Sequence, residues 1–370
     1  MIMKKEKEDR IKTFDFFRAF AALSVFVFHI GYLLPHSGDV LTGWIRLVYF
    51  GGTIGVSIFF VLSGFLLFRQ IYRGNEPLNS AKLWDYTKKR LLRILPLYYF
   101  SLFFILFIFR NDLLLADNNI KIIIYNLLFL RDFYRTGASI SIDPVYWTLI
   151  VEMHFYFILP IFYFFFHKYQ KIWLFFVPII LGLIYRIGVT LFVSTKTSAV
   201  LLFTPAVFDF FAFGMFGAYL YNNRSKLIDY LSKSYLQWGL FVGFFLFIYL
   251  YNLDYFSNIW YILQPTVFGA IIMLFMLSFV GNEKTPLVRV FTSSPILFIA
   301  KISFSIYIWH AIIINNVEYL DISNVSKFLL DIILTLIIAT ISYYLIEAPF
   351  LNLKARTTKN FTNIKNEVKI

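Results

Sequence analysis

The chain has 370 residues, of which 59% are hydrophobic and only 15% charged, and its mean hydropathy is +0.71. A soluble domain of this size carries about a quarter charged residues, so composition excludes an ordinary soluble enzyme and a disordered chain alike. The net charge of +13 does not point to nucleic acid, because long apolar runs separate the basic residues; the lack of cysteine removes disulfides and thiolate metal sites, and five histidines leave little room for an imidazole cluster.

The opening residues MIMKKEKEDRIK are too charged for a cleavable leader, and the apolar run from Phe14 has spanning length, so it is read as an uncleaved first helix. In chain order, apolar segments of roughly spanning length lie at 14–34, 49–68, 91–109, 144–166, 172–192, 205–222, 235–252, 260–280, 297–316 and 328–348. They predict an all-α polytopic membrane protein with about ten transmembrane helices around a polar interior chamber. With the N-terminus inside, the inner segments hold 24 Lys and Arg, against 7 on the outer side and its borders: Arg46, Arg110, Lys121, Arg131, Arg135, Lys196 and Lys327. This positive-inside bias puts both termini in the cytoplasm and demands an even number of crossings. The domain reading is a cytoplasmic segment 1–13, a transmembrane domain 14–348 and a basic cytoplasmic tail 349–370. Residues 120–130, KIIIYNLLFLR, are apolar but too short to cross and are expected to lie at the outer face as a peripheral or re-entrant piece.

Side chains that are costly to place in hydrocarbon come next. In the first segment, Asp15 and Arg18 stand three apart, close enough to pair near the inner interface. His29 lies eleven residues beyond Arg18, nearly on the same helix face and about 16 Å along the axis. A salt bridge and a histidine satisfied by a neighbouring helix would account for these three equally well. In the second segment, Gly51, Gly52, Gly55, Ser57, Ser63 and Gly64 offer small surfaces for close packing, a better account of Ser63 than a nucleophile without an adjacent base. In YTKKRLLRILPLYY, Lys88 and Lys89 look like interface anchors. Arg90 and Arg93 put two guanidiniums on one face, suited to phosphate oxygens or to lipid headgroups. Glu152 is a carboxylate in an apolar run. His154 lies about 200° around that helix, so His29 or an arginine on another helix is the better partner for it. Arg186, Asp209, Lys301, His310 and Glu347 are further polar intruders, and His36 and His167 carry no assigned role.

Together these residues resemble the acyltransferase family 3 of integral membrane proteins, across approximately 10–350. The family's Asp–x–x–Arg pair followed by ten residues and His is matched by Asp15, Arg18 and His29, with Ala19 where glycine is usual. Its glycine-rich block resembles GVSIFFVLSGF at 55–65, and its arginine block RLLRILPLY at 90–98. WTLIVEMHFYFILP at 147–160 fits the tryptophan–glutamate block, with Thr148 where serine is common. DFFAFG at 209–214 fits the aspartate-to-glycine block, although an arginine often found two positions earlier is Val207. ISFSIYIWH at 302–310, preceded by Ala300 in place of a frequent glycine, and SYYLIEAPF at 342–350 complete the order.

The resemblance implies a membrane-bound O-acyltransferase in a bacterial plasma membrane. It implies His29 as the catalytic residue, assisted by Arg18, Glu152 and Asp15, and assigns Arg90 and Arg93 to the coenzyme A end of a cytosolic donor, with Lys89 as a further cation. The expected reaction moves an acyl group, foremost acetyl from acetyl-CoA, to a hydroxyl of a cell-surface glycan or glycolipid. His29 acts as general base or carries the acyl group in a relay. No metal or redox cofactor is expected; the expected partners are the acceptor and membrane lipids, with no nucleic acid and with a homo-oligomer left open. A transporter or flippase for a glycan or lipid-linked intermediate is the alternative, since it too needs about ten helices and a polar interior.

Overall fold

A computed structural model describes residues 11–31, 52–72, 75–115, 120–130, 142–192, 203–251, 258–280 and 285–353. The two terminal charge clusters lie largely outside the described residues, as do Arg46, Arg131, Arg135 and Lys196. All regular structure among the described residues is helical. The helices are α1 (Thr13–Ile30), α2 (Gly52–Tyr72), α3 (Ser80–Ile108), α4 (Asp112–Leu115), α5 (Ile120–Leu127), α6 (Tyr146–Tyr169) and α7 (Phe176–Phe192). They continue as α8 (Phe208–Asn222), α9 (Lys226–Leu231), α10 (Ser234–Tyr251), α11 (Asn258–Val280), α12 (Pro286–Phe291), α13 (Ser294–Val317) and α14 (Asn324–Ser342). The protein is an all-α polytopic membrane protein. Eight stretches among the described residues are long and apolar enough to cross a membrane.

Each of the ten predicted segments falls on a helix, but two are short of the expectation. Helix α8 has 15 residues, about 22 Å and less than a hydrocarbon core, and α10 is an apolar helix of spanning length only if its last residues are included. Helix α3 starts eleven residues before its predicted span, because Asn79 caps it by accepting from the Lys82 N–H at 2.9 Å. Hydropathy cannot see that charged first half, whereas backbone capping can. Within residues 120–130, Ile120–Leu127 form the eight-residue α5, too short to cross.

The chain divides into two compact units, residues 1–73 with 171–303 and residues 74–170 with 304–370. In lipid, apolar side chains gain little by leaving the surroundings for one another, so helices associate through close contact and hydrogen bonds. The first unit does so through glycine. A Cβ on Gly64 of α2 would lie 2.3 Å from the Phe211 carbonyl oxygen of α8, and one on Gly214 of α8 would lie 2.1 Å from the Val61 oxygen. Gly55 meets the Ala21 oxygen of α1 in the same way, at 2.4 Å. Aromatic rings fill the remaining space, with Phe14 edge-on to Phe65 at 4.7 Å and Phe60 against Phe211 at 4.8 Å.

Tyrosine hydroxyls knit the second unit. Tyr98 and Tyr99 of α3 donate to the carbonyls of Asn126 and Leu127, at 2.8 and 3.0 Å. Ser101 and Tyr146 share a hydrogen bond of 2.8 Å between α3 and α6. His154 bonds through Nε2 to the Phe129 carbonyl at 2.8 Å, which fixes that ring structurally.

Gly64→Ala and Gly214→Ala are expected to lower stability by about 1–3 kcal/mol each through overpacking. Gly188→Ala, where nothing lies within 4 Å of the added carbon, is expected to cost nothing. Thermal unfolding of the purified protein in detergent checks the contrast.

Candidate active site

In the first unit, α1 carries the predicted Asp15, Arg18 and His29. An Arg18 Nη donates to Asp15 Oδ1 at 3.0 Å, as the spacing of three required, and Asp15 is buried. His29 Nδ1 lies 2.9 Å from the Val25 carbonyl oxygen one turn back. A carbonyl can only accept, so this nitrogen carries a proton, and in the neutral ring the lone pair stands on Nε2. The helix backbone itself thereby selects the tautomer in which Nε2 is the basic atom.

In the second unit, the helical spacing of 86, 90 and 93 sets Tyr86, Arg90 and Arg93 on one face of α3. The Arg90 guanidinium lies 5.8 Å from the centre of the Tyr86 ring. Tyr86 donates to the Tyr156 carbonyl at 3.2 Å, and the Tyr156 hydroxyl donates to Glu152 Oε1 at 2.7 Å. Arg93, Glu152 and Tyr156 are all within electrostatic reach of Arg90. Glu152 is thus brought near an arginine of another helix, as its apolar setting demanded. Arg90 and Arg93 thus stand close together beside Glu152, and guanidiniums are suited to phosphate oxygens. Lys89 is turned to a different use: its Nζ pairs with Asp85 Oδ2 at 2.5 Å, one turn back on the same helix.

Several polar residues around these groups escaped the sequence reading. Tyr156 is four residues after Glu152, and that one-turn spacing was available as a signal. Tyr307 shares a 2.6 Å hydrogen bond with Thr148 and donates to the Val145 carbonyl at 3.1 Å, closing off the first turn of α6. Asp143 precedes that turn and accepts from the Val145 N–H at 3.0 Å. It lies outside the spanning segment, and burial pushes its carboxyl up to about 7 against the pull of that N–H.

Arg186 was marked only as an intruder. It is fully buried and binds Asp209 through two parallel hydrogen bonds of 2.9 and 2.6 Å. Its remaining donors reach the carbonyls of Ile262 and Ala206 and the Thr266 hydroxyl, and Thr266 in turn donates to Asp209 at 2.6 Å. Asp209 therefore has its guanidinium although position 207 is valine. The arginine comes from α7, 23 residues away, a pairing no local spacing could reveal.

The acyltransferase-domain family matches residues 11–347, nearly the whole chain. The chain belongs to acyltransferase family 3. Among the chain's relatives, the peptidoglycan O-acetyltransferase OatA of Listeria monocytogenes is 27% identical over 96% of the chain and 59% of its own length. The O-acetyltransferase OatA of Staphylococcus aureus is 24% identical over 90% of the chain and 56% of its own. The chain therefore spans somewhat more than half the length of the curated relatives it matches. No solved structure matches it. Family membership and the spanning helices together make it an integral membrane protein of the acyltransferase family.

Arg186→Met and Asp209→Asn are each expected to cost about 3–5 kcal/mol, because either change strands a buried charge or donor set; detergent unfolding temperatures read this. A second expectation concerns pH. The folded carboxyl of Asp143 titrates near 7 and the unfolded one near ~4, so the fold favours the protonated form. Stability is then greatest below about pH 4, declines between about 4 and 7, and is level above that range. Asp143→Asn should flatten this decline in unfolding temperature measured across the same window.

Proposed function

We propose that the protein transfers an acyl group, foremost acetyl, from cytosolic acyl-coenzyme A to a hydroxyl of a cell-surface glycan, with His29 as general base. The observation that carries this reading is the His29 Nδ1 bond to the Val25 carbonyl, which leaves Nε2 as the basic atom at the family's histidine position. The donor supplies an activated thioester. His29 Nε2 takes the proton of the acceptor hydroxyl, and the hydroxyl oxygen forms the new ester bond as the carbon–sulfur bond breaks. The proton then passes from the imidazolium to the departing sulfur, which leaves as the free thiol.

The roles of the other residues follow from their charge. Arg90 and Arg93 hold donor phosphates, with Tyr156 fixing the neighbouring Glu152 carboxylate. Lys89, paired with Asp85, contributes less than either arginine. Asp15 fixes Arg18, whose guanidinium is suited to stabilise developing negative charge. In this reading both termini and the arginine end of α3 face the cytoplasm, and residues 14–348 form the catalytic domain. The names of the relatives, two O-acetyltransferases and one of them for peptidoglycan, support acetyl as the group and a cell-wall glycan as the acceptor class.

His29→Ala should reduce acyl transfer by a factor of about 10²–10⁴ in folded, purified protein; turnover near wild type would remove the proposed base. Arg90→Ala and Arg93→Ala should weaken coenzyme A binding while Lys89→Ala changes it little. Isothermal titration with coenzyme A measures all three, and unchanged affinity in both arginine variants would reject the phosphate clamp. Acceptor movement without any thioester cleavage would favour the transporter reading instead.

A further inference from the structure

Within the second unit, α3, the C-terminal half of α13 and α14 enclose an apolar cavity of about 640 Å³. Along α14 its wall is Leu334, Ile338, Ile341 and Leu345, at spacings of four, three and four. This is the seam pattern with which a helix ordinarily meets a neighbour. Trp309 and Ile312 of α13 make the floor and are buried, whereas Phe100 and Phe104 of α3 and Ile341 and Leu345 stand exposed at the rims. The cavity is therefore a groove that opens sideways, between α3 and α14, on the surroundings of the spans.

Stiff side chains hold the groove open. Phe104 stands edge-on to Trp309 at 5.5 Å, and Phe100 edge-on to the same indole at 6.3 Å. The isoleucines branch at Cβ and strongly prefer one χ1 rotamer in a helix, so they do not swing inward to fill the space. An unfilled apolar cavity costs stability in proportion to its volume, so one this large takes in what adjoins it. Water is not that group, because it needs several polar partners. Among the lining residues only Asn316 and Ser342 are polar. The Asn316 amide already donates to the Ile312 carbonyl at 2.7 Å, and the Ser342 hydroxyl is covered.

The height of the groove narrows the choice of occupant. Leu334 to Leu345 is about 16 Å along α14, and Phe100 to Phe109 about 14 Å along α3. That is half of a hydrocarbon core of about 30 Å. One end of the groove reaches Phe109 and Leu320, beyond the last turns of α3 and α13. The other stops where α3 comes against Tyr343–Glu347, the segment that follows α14. A spanning helix of a second copy would need a seam through the whole core. A hydrocarbon chain that enters at the membrane surface and ends at mid-bilayer needs only one leaflet.

We infer that this groove binds one acyl chain of a membrane phospholipid, which takes the place of a helix against the α14 seam. The almost wholly apolar walls hold nothing that would select a sugar, so the bulk lipid at the rims is the source. With the arginine end of α3 inside, the chain belongs to the outer leaflet, away from a cytosolic donor. The leaflet rests on that proposed orientation. The site itself rests on the spanning helices and not on acyl transfer.

Two measurements on the full chain test this. Native mass spectrometry from detergent should show one phospholipid retained by the wild type and lost in Ile338→Phe and in Ile341→Phe, which fill the groove. Ile337→Phe, at an exposed position of α14 outside the lining, should keep it. The second is fluorescence in vesicles of dioleoylphosphatidylcholine, part of it brominated on the acyl chains, with no glycolipid present. The Trp309 share of the emission, taken as wild type minus Trp309→Phe, should be quenched by the brominated chains. Each filling variant should reduce that quenching at least twofold, and Ile337→Phe should not. Thermal unfolding shows which variants are folded, and the two filling variants are independent of each other. A wild type that retains no lipid and shows no quenching of Trp309 overturns the inference without any variant. Equal quenching in the wild type and the folded filling variants also overturns it. So does a retained glycolipid in place of phospholipid, or a dimer from which the filling variants lose the partner copy and no lipid.

Discussion

Hydrocarbon offers no hydrogen bonds, and that single constraint organises both units. Every polar group carried into the spans must meet a partner inside the protein, and the buried Arg186 shows how completely this can be done. Its guanidinium meets a carboxylate, a hydroxyl and two backbone carbonyls, which ties α7 to α8 and α11. Close backbone approach accompanies it. Where Gly64 faces Phe211 and Gly214 faces Val61, α2 and α8 touch main chain to main chain, and dispersion over that surface replaces the hydrophobic drive that lipid removes.

The candidate catalytic groups follow the same economy, each fixed by the element that carries it. Backbone one turn away orients His29, a carboxylate three residues away holds Arg18, and a tyrosine four residues on holds Glu152. Such local bonds cost little additional order, because the helix has already fixed both partners. In the neutral imidazole the bond at Nδ1 makes Nε2 the basic nitrogen.

Much of this was legible in the amino-acid order. Apolar run length determined the helical class, and all ten predicted segments are helices, because the need to pair backbone groups in lipid leaves few alternatives. Contacts within one helix were legible too: spacing of three foretold Asp15 with Arg18, and spacing of four could have foretold Tyr156 with Glu152. Helix limits set by capping, such as the early start of α3 at Asn79, were hidden from hydropathy. Contacts between helices were not legible at all. That Arg186 rather than a residue beside Asp209 supplies its guanidinium depends on how helices rotate and pack. The sequence by itself thus determined what each helix had to hide and which neighbours one turn away could help. Only the tertiary structure decided which distant side chain met each charge, because in lipid that choice rests on packing geometry and not on any periodicity along the chain.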